Sequence, residues 1–400
     1  MVAHRTGCIA VLALAFVLAC SGHAGATGRN WAGPAIRIVT QAGLLGDSPS
    51  SFAPQAALTQ SALAAAIAAT DTLQHPPLQQ AAPRPLTIVS VTVANAPGAV
   101  SGAPAAPTAV PVVQSSVVTL AAPAAGPSPR ALYRADSPAR PVSIEQLDAA
   151  LVDYLGLDDA AGEIQATLVG AGLRPRPSAG TEAVARMLGL RLNHPAGQDD
   201  LELLPTQAAT RAEAAWSFAQ VLHLGDAEAD LVRRAADDFT LPTLTAWQRR
   251  ILATAISYVG FPYVWGGTSP TSQTLFGVSA PGGFDCSGFV WRIYKLTPYA
   301  GEGGLAGALR GRTTYDMSGE VPRGERVPAA QLEPGDVLFF GAHGRASKPS
   351  EVDHAALYLG SGWLVQSSAA GVTLLPLKGW YARNFAWARR PLRETGLVSS

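Results

Sequence analysis

Gly283-Phe284-Asp285-Cys286-Ser287-Gly288-Phe289-Val290 is the stretch on which the reading of this chain turns. Pro281-Gly282-Gly283 ahead of it forms a turn, and Phe289, Val290, Ile293, Tyr294 and Leu296 form an apolar, helix-like run behind it. Cys286 is therefore expected where a loop becomes a helix. The partial positive charge and free N–H groups of a helix start favour a thiolate, so this position predicts a lowered thiol pKa. The only other cysteines are Cys8 and Cys20. A lone cysteine is ordinarily a small buried hydrophobe, but a histidine and a further polar residue downstream point this one towards nucleophilic catalysis.

A thiol nucleophile needs an imidazole, and the imidazole needs a group to orient it. His343 lies in the loop Gly341-Ala342-His343-Gly344, which offers no fixed geometry. His354 opens the alternating segment His354-Ala355-Ala356-Leu357-Tyr358-Leu359, and a strand supplies the rigidity that a catalytic group requires. Gln366 is as far after Gly360 as His354 is before it. A hairpin with a three-residue loop centred on Gly360 would bring the two face to face, and a two-residue loop would break the pairing. Val337 to Phe340 and Trp363 to Ser367 read as further strands, and Ile251 to Val259 as an amphipathic helix. Residues 300–330, Gly-rich and charged, read as surface loops. A nucleophile helix followed by a small antiparallel sheet is an α+β layout.

Upstream, the pattern Pro-x4-Thr/Ser followed by a helix occurs at Pro54/Thr59, Pro138/Ser143 and Pro205/Thr210. The hydroxyl residue is the expected N-cap each time. Ser143 with Gln146 and Thr210 with Glu213 fit a capping box, whereas Thr59 with Ala62 does not. Between the first copy and the second, Ala, Pro, Val and Ser dominate, which marks an unstructured linker. The first residues combine His4 and Arg5, an apolar Ile9–Leu18 core and the small-x-small site Ala24-Gly25-Ala26, an export signal. Val17-Leu18-Ala19-Cys20 is a rival processing site, a lipobox that would lipidate Cys20. Both readings imply export, and a membrane partner follows only from the second.

Composition closes other routes. Formal net charge is zero, so nothing points to nucleic acid. Charged residues make up only 14%, as expected of a chain with long weakly structured tracts. No zinc-ligand spacing is visible, and no cofactor motif occurs. The domain plan is an export signal over 1–26, a helical repeat over 30–75, a linker over 76–130, further helical repeats over 131–226, a connector over 227–246 and a C-terminal α+β domain over 247–392.

The motifs Pro262-Tyr263-Val264-Trp265-Gly266-Gly267, Phe284-Asp285-Cys286-Ser287-Gly288-Phe289, Pro334-Gly335-Asp336-Val337-Leu338-Phe339 and Asp353-His354-Ala355-Ala356-Leu357-Tyr358-Leu359-Gly360 stand in this order. Together they resemble the NlpC-type cell-wall cysteine endopeptidases, a papain-like family. The resemblance implies Cys286 as nucleophile, His354 as base and Gln366 as the orienting residue, a position more often held by histidine. It further implies Tyr263 beside the nucleophile, with Asp285 and Ser287 holding the free amino group of a peptidoglycan stem peptide cut between D-glutamate and the diamino acid. A non-catalytic wall-binding protein, or an acyltransferase or amidase on the same scaffold, is the alternative. The helical repeats resemble S-layer homology modules, with Thr210-Arg211-Ala212-Glu213 closest to that family's signature. Thr59-Gln60-Ser61-Ala62 lacks both charges, and Ser143-Ile144-Glu145 lacks the arginine. This second resemblance implies a secondary cell-wall polymer as partner of residues 30–226, which hold no nucleophile–base pair. A chain starting near Asp237 is then expected to keep its activity.

Overall fold

A computed structural model describes residues 31–75, 133–193 and 201–398. The expected export signal, Cys20 and the 76–130 linker lie outside the described residues. The helical half comprises α1 (Gly33–Gln41), α2 (Gln60–Gln74), α3 (Ile144–Tyr154), α4 (Asp158–Gly170), α5 (Ala179–Met187), α6 (Arg211–Val221) and α7 (Asp226–Asp237). The three repeated hydroxyls begin α2, α3 and α6. Ser143 caps α3 in a reciprocal box with Gln146. Thr59 accepts from the Ala62 N–H at 3.3 Å, and Thr210 from the Glu213 N–H at 3.2 Å. The Glu213 side chain does not complete the expected box. It is buried, with Arg191 Nη2 at 3.3 Å.

The proline spacing has a physical reason. The residues just before the three caps bond in a closed ring: Leu58 N–H to Ala209 C=O, Ala209 N–H to Val142 C=O and Val142 N–H to Leu58 C=O, each 2.8 Å. One step further out, the carbonyls of Pro138, Pro205 and Pro54 accept from the N–H groups of Ser61, Glu145 and Ala212, at 3.1, 2.9 and 3.0 Å. Each repeat thus supplies an acceptor to the first turn of a neighbouring repeat's helix, whose N–H groups have no partner within the helix.

The second half begins with α8 (Ala246–Ile256), capped by Thr245 with a reciprocal bond from Gln248. Four short strands follow, β1 (Thr268–Ser269), β2 (Gln273–Leu275), β3 (Val278–Ala280) and β4 (Gly283–Phe284), then α9 (Cys286–Trp291), α10 (Leu305–Ala308) and α11 (Thr314–Gly319). Then come β5 (Val337–Gly341), β6 (Val352–Gly360), β7 (Trp363–Ser368), β8 (Gly371–Pro376), α12 (Trp380–Asn384), β9 (Phe385–Arg389) and α13 (Pro391–Glu394). β5 to β9 form an antiparallel sheet in the order β8-β7-β6-β5-β9. One face joins α8 and α9 in the main core through Phe339, Ala355, Leu357 and Val365. The other face buries Leu338, Phe340, Ala356, Leu364 and Phe385 beneath Trp380 and Tyr381 of α12. The protein is mixed helix and sheet, as expected.

Two stretches differ from their sequence reading. The expected connector over 227–246 contains most of α7, which buries Val232 and Ala236. The expected surface loops over 300–330 contribute α10 and α11 and bury Leu305, Leu309, Met317 and Val321. α10 and α11 are too brief to set a period, whereas α7 is a 12-residue helix whose few apolar residues lie within charged sequence.

Residues 31–74 and 133–398 fold as one compact unit, so the two halves share an interior. Arg186 of α5 is 5% exposed, and it binds the Glu202 carboxylate at 2.8 Å, the Ala370 carbonyl at 2.6 Å and the Gly260 carbonyl. Arg176 donates to the Val259 carbonyl at 2.6 Å. Asp148, Glu182, Arg191 and Glu213 are buried around Arg186, and burial raises the pKa of all three carboxyl groups against the pull of the arginines. Glu182 closes on Gly260, where a Cβ would lie 2.6 Å from its Oε2 and where φ is +92°, so glycine alone fits.

Candidate active site

The nucleophile's position is set by its neighbours. Phe284, in β4, bridges Tyr263 in parallel, and the Val264 N–H bonds the Phe284 carbonyl at 3.1 Å. Asp285 is the N-cap of α9, its Oδ1 accepting from the Gly288 N–H at 2.5 Å. Cys286 is the first helical residue. A Cβ at Gly288 would lie 1.9 Å from the Gly267 carbonyl oxygen, so glycine is what lets the helix press against the Gly266-Gly267 segment.

Cys286 Sγ lies 3.9 Å from the Asp353 carbonyl, and the Ala355 N–H favours the thiolate from the other side of His354. These two residues flank His354 in β6. The thiol is not acidified as the helix start predicted. Burial pushes it up to about 12, the Asp285 carboxylate adds to the rise, and the Ala355 and Ser287 N–H groups and Arg312 offset only part. The reason is local: a carboxylate caps the positive end of this helix.

The hairpin that carries the imidazole corrects one expectation and preserves its outcome. Its loop is two residues, Ser361-Gly362, with φ of +48° and +79°, both positive as in a type I′ turn. On its own this loop would put Gln366 on the face opposite His354, since a one-residue change of register inverts every side chain. An irregularity between Tyr358 and Gly360 shifts the register back, so the ladder continues as Tyr358–Leu364 and Leu357–Val365. The bulge at Leu359 restores parity. In that register Gln366 falls opposite Ala356 and is diagonal to His354 on the same face. His354 Nε2 meets Gln366 Oε1 at 2.5 Å.

Gln366 Nε2 donates to Ser368 Oγ at 3.3 Å and to the Tyr381 hydroxyl, so Oε1 is left to accept from His354. His354 thus carries its proton on Nε2 and its lone pair on Nδ1. Phe340, Trp380 and Tyr381 surround the ring, with centroids 5.7, 6.3 and 6.3 Å away. Burial in this aromatic box lowers the His354 pKa, opposed by the Gln366 bond and Asp353. Desolvation thus favours the neutral form of each group. His343 is elsewhere, with an exposed ring 3.4 Å from Glu351.

Asp285 and Ser287 stand on either side of Cys286 but already hold a cation of this chain. Arg312 Nη2 lies 3.1 Å from each Asp285 oxygen, and Nη1 donates to Ser287 Oγ at 2.6 Å. Nη2 also reaches the carbonyls of Gly266 and Gly267, at 3.2 and 3.4 Å. The Gly266 N–H and the Ser287 hydroxyl complete the carboxylate's shell, at 2.9 and 3.1 Å. Arg312 and Tyr381 were missed from the sequence, because each comes from a segment with no periodicity of its own.

Residues 260–390 match the family model described as the NlpC/P60 family. The γ-D-glutamyl-L-lysine dipeptidyl-peptidase of Bacillus cereus (strain ATCC 10987 / NRS 248) is 34% identical over 146 residues, 36% of this chain and 36% of that protein. The murein DD-endopeptidase MepH of Escherichia coli (strain K12) is 32% identical over 136 residues, 33% of this chain and 41% of that protein. The crystal structure of the NlpC/p60 domain of the peptidoglycan hydrolase SagA is 27% identical and covers 36% of this chain and 97% of that one, with a TM-score of 0.26. The chain spans about a quarter to about half of the length of the curated relatives it matches. Residues 260–390 of this chain are an NlpC/P60 domain.

Proposed function

We propose that this chain is an exported cysteine peptidase that hydrolyses peptidoglycan stem peptides between D-glutamate and the diamino acid. The observation that carries the reading is the Cys286 sulfur against the Asp353 carbonyl, next to His354 in β6, with Gln366 fixing the imidazole. His354 Nδ1 takes the thiol proton as sulfur attacks the amide carbonyl. Backbone N–H groups at the start of α9 face the developing oxyanion. The imidazolium then protonates the leaving amine, and water, deprotonated by the same ring, cleaves the thioester. Incubating the full chain with a disaccharide-tetrapeptide should expose a new amine on the diamino acid. A new amine elsewhere would assign another bond, and none would end the reading.

Arg312 alters one part of the implied substrate contact. A ligand amine would have to compete with a guanidinium bonded to both oxygens of Asp285. We therefore give Asp285 and Arg312 a positioning role, tying the start of α9 to the Gly266-Gly267 segment.

Export is part of the same proposal. It rests on the apolar core and the two processing sites within residues 1–26. N-terminal analysis of the mature protein should find the first nineteen residues or more removed, with a lipid on Cys20 if the lipobox is used; an intact Met1 would end the idea.

The helical half is proposed to position the peptidase and, through its three repeats, to contact a secondary wall polymer. Removing it strips buried donors from the carbonyls of Gly260 and Ala370. A chain starting near Asp237 should therefore melt lower than the full chain, by several degrees for a loss of about 3 kcal/mol, and should bind isolated walls less. Equal melting would mean that the shared interior is dispensable, and equal wall binding would count against anchoring.

A further inference from the structure

Between Arg250 and Asp285 the sequence contains no charged residue. Within this neutral stretch two large aromatics face solvent: Trp265 is 64% exposed and Phe276 80%. They flank one backbone position. Trp265 precedes Gly266 in the chain, and the Phe276 ring lies against Gly266, where a Cβ would meet Phe276 Cε2 at 2.8 Å. Gly266 donates its N–H to Asp285, the residue before the nucleophile. The aromatic pair is thus continuous with the start of α9.

Phe276 is held there at a cost. It tips the hairpin of β2 and β3, whose last pair is Leu275–Val278. Its φ is +51°, followed by Gly277 at +82°. Both values are those of a type I′ turn, whose first position ordinarily takes Asn, Asp or Gly, so a phenylalanine is the unusual choice there. On the hairpin the hydroxyls of Thr274 and Ser279 bond across the two strands at 3.0 Å; at its base those of Ser269 and Thr271 bond at 3.0 Å, and the Gln273 amide ties the hairpin to the backbone of Thr268 and Gly283, at 3.1 and 2.8 Å.

We infer that Trp265 and the Phe276 hairpin form a platform for an N-acetylated pyranose of the glycan strand attached to the stem peptide. A pyranose presents a flat C–H face to an aromatic ring and its hydroxyl and amide groups to neutral hydrogen-bonding side chains. It carries no charge that would favour Lys, Arg, Asp or Glu in the subsite. The charges bonded to Gly266, Arg312 and Asp285, neutralise one another. The inference rests on the peptidase reading above and adds to it a preference for sugar-bearing over bare peptides.

The test uses the full chain and two substrates, a disaccharide-tetrapeptide and the same tetrapeptide N-acetylated on its first residue. The wild type should favour the sugar-bearing substrate in kcat/KM. Phe276→Ala should reduce that preference about tenfold with the bare peptide unaffected, and Phe276→Tyr should restore it. Equal loss on both substrates would make Phe276 structural and overturn the inference, as would no loss on either. Calorimetric titration of full-length Cys286→Ala with a peptide-free β-1,4-linked N-acetylglucosamine tetramer decides independently of turnover. Binding that disappears in Cys286→Ala/Phe276→Ala supports the platform even if neither peptide is cut, an outcome that would sink the peptidase reading alone. No binding, or Phe276-dependent self-association in its place, overturns the platform.

Discussion

Cys286→Ala is expected to lower turnover of a disaccharide-tetrapeptide by about four orders of magnitude or more while leaving the melting temperature nearly unchanged. Among the described residues no other cysteine exists to form the acyl-enzyme. The residual rate without the nucleophile comes from binding and oxyanion contacts alone. The fold should tolerate the change, since the sulfur's contacts with the Asp353 carbonyl and the Ala355 N–H hold little of the core. A variant that kept a tenth of the wild-type rate would remove Cys286 from the mechanism.

His354→Ala should cost nearly as much, and the double variant hardly more, because nucleophile and base act as one unit. Gln366→Ala should lose on the order of 100-fold, since it orients the ring without taking its proton. Tyr381→Phe should cost less again; it removes one of the two hydroxyls that fix which end of the Gln366 amide faces His354. His343→Ala should leave the rate unchanged. The resting protonation states are testable separately. With the thiol raised to about 12 and the imidazole lowered, both are neutral, so iodoacetamide labelling of Cys286 should climb with pH and show no acid plateau. Activity needs His354 unprotonated, so its acid limb should fall below the usual histidine range of about 6.5. A labelling plateau at acid pH that vanished in His354→Ala would establish a thiolate–imidazolium pair and reinstate the acidified thiol expected from the helix start.

The contrast between Gln366 and Arg312 shows what a sequence can carry. Gln366 was legible because sheet geometry constrains parity: a two-residue offset from direct pairing keeps both residues on one face and still lets them meet diagonally. The three-residue loop was wrong, and a single bulge at Leu359 made up the difference. Arg312 had no such signal. It lies just before the short helix α11 within Gly-rich sequence, and its contact with Asp285 and Ser287 exists only in three dimensions. The role of Arg186 was hidden similarly, since a charged residue in a helix reads as a solvated face until the partner domain covers it. By contrast, the Pro-x4-Thr/Ser spacing was legible as a recurrence, and the ring joining Leu58, Val142 and Ala209 gives its physical cause. The thiol expectation left out two opposing effects: desolvation and the Asp285 carboxylate both raise the Cys286 pKa against a helix-end effect of about a kilocalorie per mole.

The most direct test of the central claim is mass spectrometry of a defined disaccharide-tetrapeptide after incubation with the purified full chain, beside Cys286→Ala. Two fragments that divide between D-glutamate and the diamino acid are expected, together with an intact substrate in the variant digest. Cleavage at any other bond, or the same fragments from Cys286→Ala, would contradict it.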